Sequence, residues 1–258
     1  MPFPMESLEQ MQGFFWVLMR ISILFALLPI FGGKGIPPMW KAGISFILAI
    51  VLTPMVPPIE NIPETIPEII LGLLSELILG FILAFSARLL LTSVQMAGQY
   101  MSFQMGFAMA RAMDPQTGTS STILTQFLYM LTILIFFSIN GHHIFIKALA
   151  NSFQVIPPNG VYLNPSITDV FISLSGYMFL MGLKIAAPIM VALFLSNLSL
   201  GIVARTVPQV NILMIGFPIN ICIGLVLFSL LLLDFPPVVT ELARTMGEVS
   251  MKLINLMK

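Results

Sequence analysis

The chain has 258 residues, of which 58% are hydrophobic and only 9% are charged, and its mean hydropathy is +1.01. Soluble domains carry about a quarter charged residues, so this composition excludes an ordinary soluble enzyme. Eleven basic and eleven acidic side chains give no net charge, and we expect no nucleic-acid partner because that class requires a basic surface. The single cysteine, Cys222, provides neither a disulfide framework nor a thiolate metal cluster.

Six apolar stretches are candidate membrane-spanning helices, since roughly 17 to 25 residues cross the hydrocarbon layer as a helix. They are residues 14–31, 42–56 (a short one), 69–91, 123–139, 170–200 and 212–233. Proline-rich connectors separate the first three because proline cannot continue a helix. The basic residues near the ends of these stretches give conflicting orientations. No repeat or charged linker divides the chain, so we predict a single all-α, membrane-type domain over residues 1–258.

The N-terminal residues carry two acidic side chains, Glu6 and Glu9, and no basic one before the first apolar stretch. A secretory signal has a positively charged start. We therefore expect the first stretch to stay in the mature protein.

Four charged residues interrupt the apolar stretches, and a charge at a helix centre costs about 2.5–3.5 kcal/mol on membrane-insertion scales. We expect them to be buried charges that face protein or water. Pairing inside a helix bundle, for example of Glu76 with a basic residue of another span, is favoured over proton relay because a relay needs a chain of titratable groups. The four residues are Arg20, Glu76, Arg88 and Lys184.

Residues 92–113 are too polar for a lipid-facing span and predict a helix with two ridges. One ridge has a small residue at every fourth position, which lets a neighbouring backbone approach closely: Gly98, Ser102, Gly106 and Ala110. The other ridge is Met101, Met105, Met109 and Met113. Methionine fills gaps in cores and also forms pliable surfaces that repack around different partners, and the pattern leaves both roles open. Asp114, Pro115 and Gly118 then predict a loop.

Catalytic and metal-binding patterns are missing from the sequence. His142 and His143 are adjacent, so they point to different sides of a helix, and no further metal ligands lie at a suitable spacing. Serine-nucleophile and phosphate-loop signatures are also missing. We read Asn164 and Pro165 as a turn.

An amphipathic helix is predicted over residues 238–258. Its apolar stripe comprises Val239, Leu242, Met246, Val249, Leu253 and Met257, and charged residues line the other face. The pattern leaves open whether a membrane interface or a partner subunit covers this stripe.

Taken in order, these pieces resemble the FliR family of flagellar export-gate subunits, whose injectisome relatives are the SctT proteins. The resemblance covers nearly the whole chain. Its motifs are RISILFALLPIFGGKGIPPMWKAGISFILAIVLTP, QMGFAMARAMDPQTG and INGHHIFIKALANSFQVIP, and the most specific is ARTVPQVNILMIGFPINICIGL at 204–225. The double histidine and SFQVIP favour the flagellar branch over the injectisome branch.

The resemblance implies a non-enzymatic protein without a cofactor, located in the bacterial inner membrane at the flagellar basal body. The family assembles with FliP-like and FliQ-like subunits, next to FlhB-like and FlhA-like export proteins, into a channel for unfolded polypeptides. Its members have bent helical hairpins and sit partly above the bilayer, which puts six straight spans in question. Membrane lipid is a further expected contact. A secondary transporter is the main alternative, but it predicts two related halves and an ion-binding carboxylate cluster, and neither is visible.

The family's channel plug corresponds to residues 106–121 here. The resemblance therefore implies a channel seal formed by Met101, Met105, Phe107, Met109, Arg111, Met113, Asp114, Pro115 and Gly118. The 204–225 motif implies subunit contacts at Arg205, Pro208, Gln209, Asn211, Gly216 and Pro218. Proline breaks helical hydrogen bonding, so the exposed backbone there needs cover from protein or water.

Overall fold

The computed structural model describes residues 8–28, 37–56, 65–107, 122–157, 160–207, 209 and 212–258. Within those residues the chain forms eight α-helices, one 3₁₀ turn at Thr53–Met55 and no strand, which confirms the all-α prediction. The helices are α1 (Leu8–Leu27), α2 (Pro38–Leu52), α3 (Ile66–Gln104), α4 (Ile123–Ser138), α5 (Gly141–Val155), α6 (Ser166–Thr206), α7 (Ile212–Leu233) and α8 (Phe235–Leu256).

Local side-chain chemistry explains several helix starts. Pro38 occupies the first turn of α2, where its missing N–H costs nothing. Thr122 caps α4 by accepting a hydrogen bond from the backbone N–H of Thr125. Asn164 accepts from the backbone N–H of Ser166 at 2.9 Å, which makes the predicted turn before α6. Asn140, between α4 and α5, has a left-handed φ of 57°, a conformation that asparagine tolerates better than most residues.

Two helices are longer than the apolar stretches from which they are predicted. Helix α3 has 39 residues and α6 has 41, so each extends about 60 Å at 1.5 Å per residue, twice the roughly 30 Å of a hydrocarbon core. The apolar stretch 69–91 and the polar stretch that follows form one continuous helix as far as Gln104. Three of its serines donate to a backbone carbonyl three residues earlier, as Ser86 does to Leu83, and do not interrupt it.

The number of spans also differs from the six expected. Among the described residues, three helices (α3, α6 and α7) are long and apolar enough to cross a membrane. A fourth is reached if the helices on either side of Asn140 count as one broken span. The apolar part of α1, Gly13–Leu27, and helix α2 are shorter, so the count of six is not confirmed.

The contacts divide the chain into two units. Helices α3, α6 and α8 each contribute residues to both units. The first unit comprises residues 1–89, 140–174 and 243–258. Its core includes α1, where Val17, Ile21 and Leu28 have no exposed surface, and Phe14 of α1 packs edge-on against Phe46 of α2 at 5.5 Å between ring centroids.

The second unit comprises residues 90–139 and 175–242. Its core is built from the C-terminal part of α3, from α4 and from the α6–α7 pair. Val94, Ala97, Leu128 and Leu193 are fully buried there.

The amphipathic C-terminal helix is α8, and its apolar stripe is covered by the chain itself. Val239, Leu242, Met246, Leu253 and Met257 are each no more than 1% exposed, while Val249 is partly exposed. Neither a membrane interface nor a partner subunit is therefore needed to cover most of this stripe. On the outer face, Arg244 and Glu248 form an exposed pair at 2.9 Å, which contributes little to stability.

Candidate functional site

Two of the four charges that interrupt the apolar stretches meet in the core of the first unit. Arg20 of α1 and Glu76 of α3 have no exposed surface. The guanidinium forms two parallel bonds with the carboxylate, one of them from Nη2 to Oε1 at 2.7 Å. Two further polar groups accept from Nη1, each at 3.2 Å: Ser152 Oγ and the carbonyl of Ile156.

An aromatic ring completes the surroundings of this cation, since the Arg20 Cζ atom lies 4.2 Å from the ring centre of Phe153. Arginine has five N–H donors, and four of its possible bonds are made here. The pair therefore ties α1 to α3 and α5 inside the chain. The partners of Arg20 and Glu76 are thus intramolecular, and neither charge needs another subunit to neutralise it.

The other two charges have different surroundings. Arg88 on α3 and Lys184 on α6 are exposed in this chain, so the expectation of buried charges does not hold for them. A helix has a solvent or lipid side as well as a packed side, and a charge in the middle of an apolar stretch can lie on either. Lys184 lines a groove of the second unit.

Helix α3 packs closely against the start of α4 at two of the small residues. A Cβ added at Gly98 would lie 2.7 Å from the Cα of Thr125, closer than carbon atoms approach in proteins. One turn later, Ser102 Oγ lies 2.7 Å from Thr122 Oγ1 and forms a hydrogen bond with it. Gly98 and Ser102 thus lie where two helices approach, as small residues do in membrane proteins.

Gly106 does not continue this face. It lies two residues beyond Gln104, the last residue of α3, and has a left-handed φ of +91°. Its Cβ position would lie 2.7 Å from the Phe217 ring of α7. Glycine adopts that conformation without steric cost. Gly98 and Ser102 thus share one face of α3, whereas the helix ends before the four-residue spacing reaches Gly106. Ala110 lies outside the described residues.

The methionine ridge is buried where the structure describes it. Met101 and Met105 have no exposed surface, and a Cβ at Gly224 of α7 would come within 2.5 Å of the Met105 side chain. In this chain both methionines fill space between helices. Phe107 is partly exposed. The remaining predicted seal residues lie outside the described part of the chain: Met109, Arg111, Met113, Asp114, Pro115 and Gly118.

The 204–225 motif covers the end of α6 and the first half of α7. Arg205 and Gln209 are exposed, as is Pro218 inside α7. Gly216 is buried, 3.3 Å from Leu200 at its Cβ position. Pro208 and Asn211 lie outside the described residues.

Sequence reasoning missed a polar cluster inside this motif. Asn220 of α7 is almost buried; its Oδ1 accepts from Ser196 Oγ at 3.0 Å, and its Nδ2 donates to Asn197 Oδ1 at 2.6 Å. These bonds join α6 and α7 through otherwise apolar surfaces. The signal was present as isolated polar residues in two apolar stretches, but their pairing depends on the register between the helices.

The adjacent histidines lie beside an apolar groove. His142 and Leu149 of α5 line it with residues of α1 and α2, among them Leu24 and Ile47, and the groove measures about 270 Å³. The ring centres of His142 and His143 are 4.3 Å apart. Over the described ranges, no group of three side chains of the metal-binding types comes together.

Comparison with known proteins gives consistent results. The family model described as bacterial export proteins, family 1, matches residues 11–246. The chain is 34% identical to the flagellar biosynthetic protein FliR of Bacillus subtilis over 222 residues, which are 83% of this chain and 84% of the relative. It is 32% identical to FliR of Pectobacterium carotovorum over 90% of this chain and 88% of the relative. FliR of Escherichia coli is 28% identical over 88% and 87% of the two chains.

Proposed function

The chain belongs to the FliR family of bacterial export proteins, and on this basis we propose that it is a non-enzymatic subunit of the flagellar protein export gate. In this proposal it resides in the inner membrane at the flagellar base and assembles with FliP-like and FliQ-like subunits. FlhB-like and FlhA-like proteins are its further neighbours, and unfolded polypeptides are the cargo.

The observation that best supports an assembled role is the apolar surface that the chain leaves uncovered. Only 44% of the most apolar 18-residue stretch of α3 is buried within the chain, 39% of that of α6 and 22% of that of α7. Large side chains such as Leu183, Phe194 and Leu230 are more than half exposed. Apolar patches of this extent require lipid or other subunits. Because α3 and α6 are about twice as long as the hydrocarbon core of a bilayer is thick, lipid tails alone do not suffice to cover them.

Co-purification tests this proposal. The tagged chain is expressed alone and together with the FliP-like and FliQ-like subunits of the same genome, and each sample is extracted in mild detergent. We expect one defined complex containing all three subunits, and a heterogeneous or aggregated chain when it is expressed alone. A monodisperse, long-lived monomer that binds neither subunit would contradict the proposal. Deleting the gene in its host should also stop export of filament protein.

We assign closure of the channel to residues 106–121. The support comes from the family resemblance and from composition: Phe107, Met109 and Met113 are apolar, and the methionines can change rotamer when a chain passes. Pro115 and Gly118 favour a loop. A closed channel must exclude water and ions yet still open for a polypeptide, and pliable apolar side chains meet both requirements.

Membrane leakage tests this assignment. A variant lacking residues 114–118 should raise small-solute uptake or conductance above that of wild type at equal expression. Co-purification of the partner subunits with the same variant serves as the control for assembly. A tight membrane in a variant that assembles normally would leave the segment as an ordinary connector.

A further inference from the structure

A second groove, of about 410 Å³, lies in the second unit between α6, the end of α7 and the start of α8. Its walls carry opposite charges. Lys184 stands on the α6 wall, and Asp234 and Glu241 stand on the α7–α8 wall. Aliphatic side chains line the groove between these charges, including Ile185, Leu227 and Leu230. We call this the charged groove.

Lys184 and Asp234 are both exposed, and in the described part of the chain neither forms an ion pair within 4 Å. The cation is thus separated from the carboxylate across the groove rather than bonded to it. A lysine and an aspartate beside apolar side chains lose hydration when the surroundings are lipid, and this loss is costly without a partner of opposite charge. An occupant that carries both a negative and a positive charge neutralises Lys184 and Asp234 together and removes this cost.

Asp234 also marks where the apolar surface ends. Helix α7 is apolar through Leu233 and is one of the three helices able to cross a membrane. Charged residues next to the end of such a helix lie at the level of the lipid head groups. The aliphatic residues Leu230 and Leu227 lie about one and about two turns from Asp234, respectively, in the direction of the hydrocarbon layer.

We propose that the charged groove binds an aminophospholipid, a zwitterionic lipid whose head group carries a phosphate and a primary ammonium. Lys184 receives the phosphate, Asp234 receives the ammonium, and the aliphatic wall receives the start of an acyl chain. A primary ammonium keeps three N–H donors for carboxylates, whereas a quaternary choline has none. An anionic glycerol head group offers no cation to the Asp234 carboxylate. This inference depends on the membrane location in the proposed function but not on the identity of the partner subunits.

The test compares phosphatidylethanolamine, its N-methylated derivatives, phosphatidylcholine and phosphatidylglycerol with the same acyl chains. Each lipid carries a fluorophore on an acyl chain, and its binding to the purified three-subunit complex in detergent is measured by titration. We expect phosphatidylethanolamine to bind at least about tenfold more tightly than phosphatidylcholine or phosphatidylglycerol, with a stepwise loss on methylation. Equal binding of all the lipids would overturn the proposal, and this comparison needs no variant.

Variants then locate the site. Lys184→Gln and Asp234→Asn should each lower the affinity for phosphatidylethanolamine to that for phosphatidylcholine. Lys252→Gln, which changes an exposed lysine of α8 outside the groove, should leave the preference unchanged. If the preference survives in both groove variants, the proposal is wrong.

The same samples distinguish this proposal from the proposed function. Loss of partner subunits from the groove variants with an unchanged lipid preference would make the groove a subunit contact and overturn lipid binding. Failure of the wild-type chain to co-purify with its partners would count against the export-gate assignment. In that case the lipid preference can still be measured on the chain alone.

Discussion

At the scale of single residues, the most specific prediction concerns the stability provided by the Arg20–Glu76 pair. Both side chains are fully buried and each neutralises the other, so removing one leaves an unpaired charge. We expect Arg20→Met or Glu76→Gln to lower the free energy of unfolding by about 3–5 kcal/mol. Arg20→Lys should also be destabilising because an ammonium cannot form the two parallel bonds. Thermal unfolding of the detergent-solubilised complex measures these changes.

The exposed Arg244–Glu248 pair is the matched control for this prediction. Its side chains are 82% and 64% exposed, so Arg244→Met should leave the unfolding temperature unchanged. A double variant, Arg20→Met with Glu76→Leu, should recover part of the stability lost in the single variants. Single variants as stable as wild type would show that the buried pair is not needed for packing.

A second prediction at this scale concerns the close packing of α3 against α4 at Gly98. Its Cβ position lies 2.7 Å from a backbone atom of α4, whereas Gly176 has nothing within 4 Å of the same position. Gly98→Ala should therefore separate α3 from α4 and lower the unfolding temperature. Gly176→Ala should leave it unchanged or raise it, because alanine favours a helix by about 1 kcal/mol over glycine.

The comparison of these two glycines uses the same chemical change at both sites. Thermal unfolding and the yield of assembled complex provide the measurements. Equal effects at the two sites would mean that α3 can move away from α4 without cost.

At the scale of elements, the end of α3 depends on Gly106. Its φ of +91° is strained for any residue with a Cβ, and the Phe217 ring occupies the space that a Cβ would need. We expect Gly106→Ala to destabilise the chain by at least about 1 kcal/mol through the backbone alone. The steric contact with Phe217 adds to that loss.

A double variant separates the two causes. Phe217→Ala removes the ring but leaves the backbone conformation, so it should recover only part of the stability lost in Gly106→Ala. Unfolding temperatures of the two single variants and the double variant provide the measurement. Full recovery would show that the left-handed conformation carries no cost here.

At the scale of the whole molecule, α7 has a packed side and an open side. Phe228 is 6% exposed and contacts Phe127 of α4, whereas Val226, two positions away, is 61% exposed. Phe228→Ala should lower the unfolding temperature of the chain itself through a cavity. Val226→Asp should leave internal packing intact and reduce recovery of the assembled complex by about tenfold, because it places a charge on an apolar contact surface.

Two readouts on each variant check this division. Thermal unfolding reports on packing, and co-purification reports on assembly. If Val226→Asp assembles as well as wild type, the open side of α7 faces water rather than lipid or protein.

Sequence reasoning determined the features that depend on composition and local chemistry. Apolar content predicted an all-α membrane-type protein, ordered motifs predicted the family, and the turn before α6 followed from Asn164 and Pro165. It also suggested that Glu76 pairs with a basic residue. It could not identify Arg20 as that residue, because two positions 56 residues apart meet only through the packing of α1 and α3.

The tertiary structure alone decided which side of each helix is covered. Periodicity shows that α8 has an apolar stripe but not that the chain itself buries it. Periodicity identifies Lys184 and Arg88 as charges that are costly within an apolar stretch, but it does not show that their side chains are exposed. It also fails to show that α3 ends before Gly106, since a four-residue spacing continues through a helix terminus. Each of these depends on contacts between residues distant in sequence, and local patterns carry no information about them.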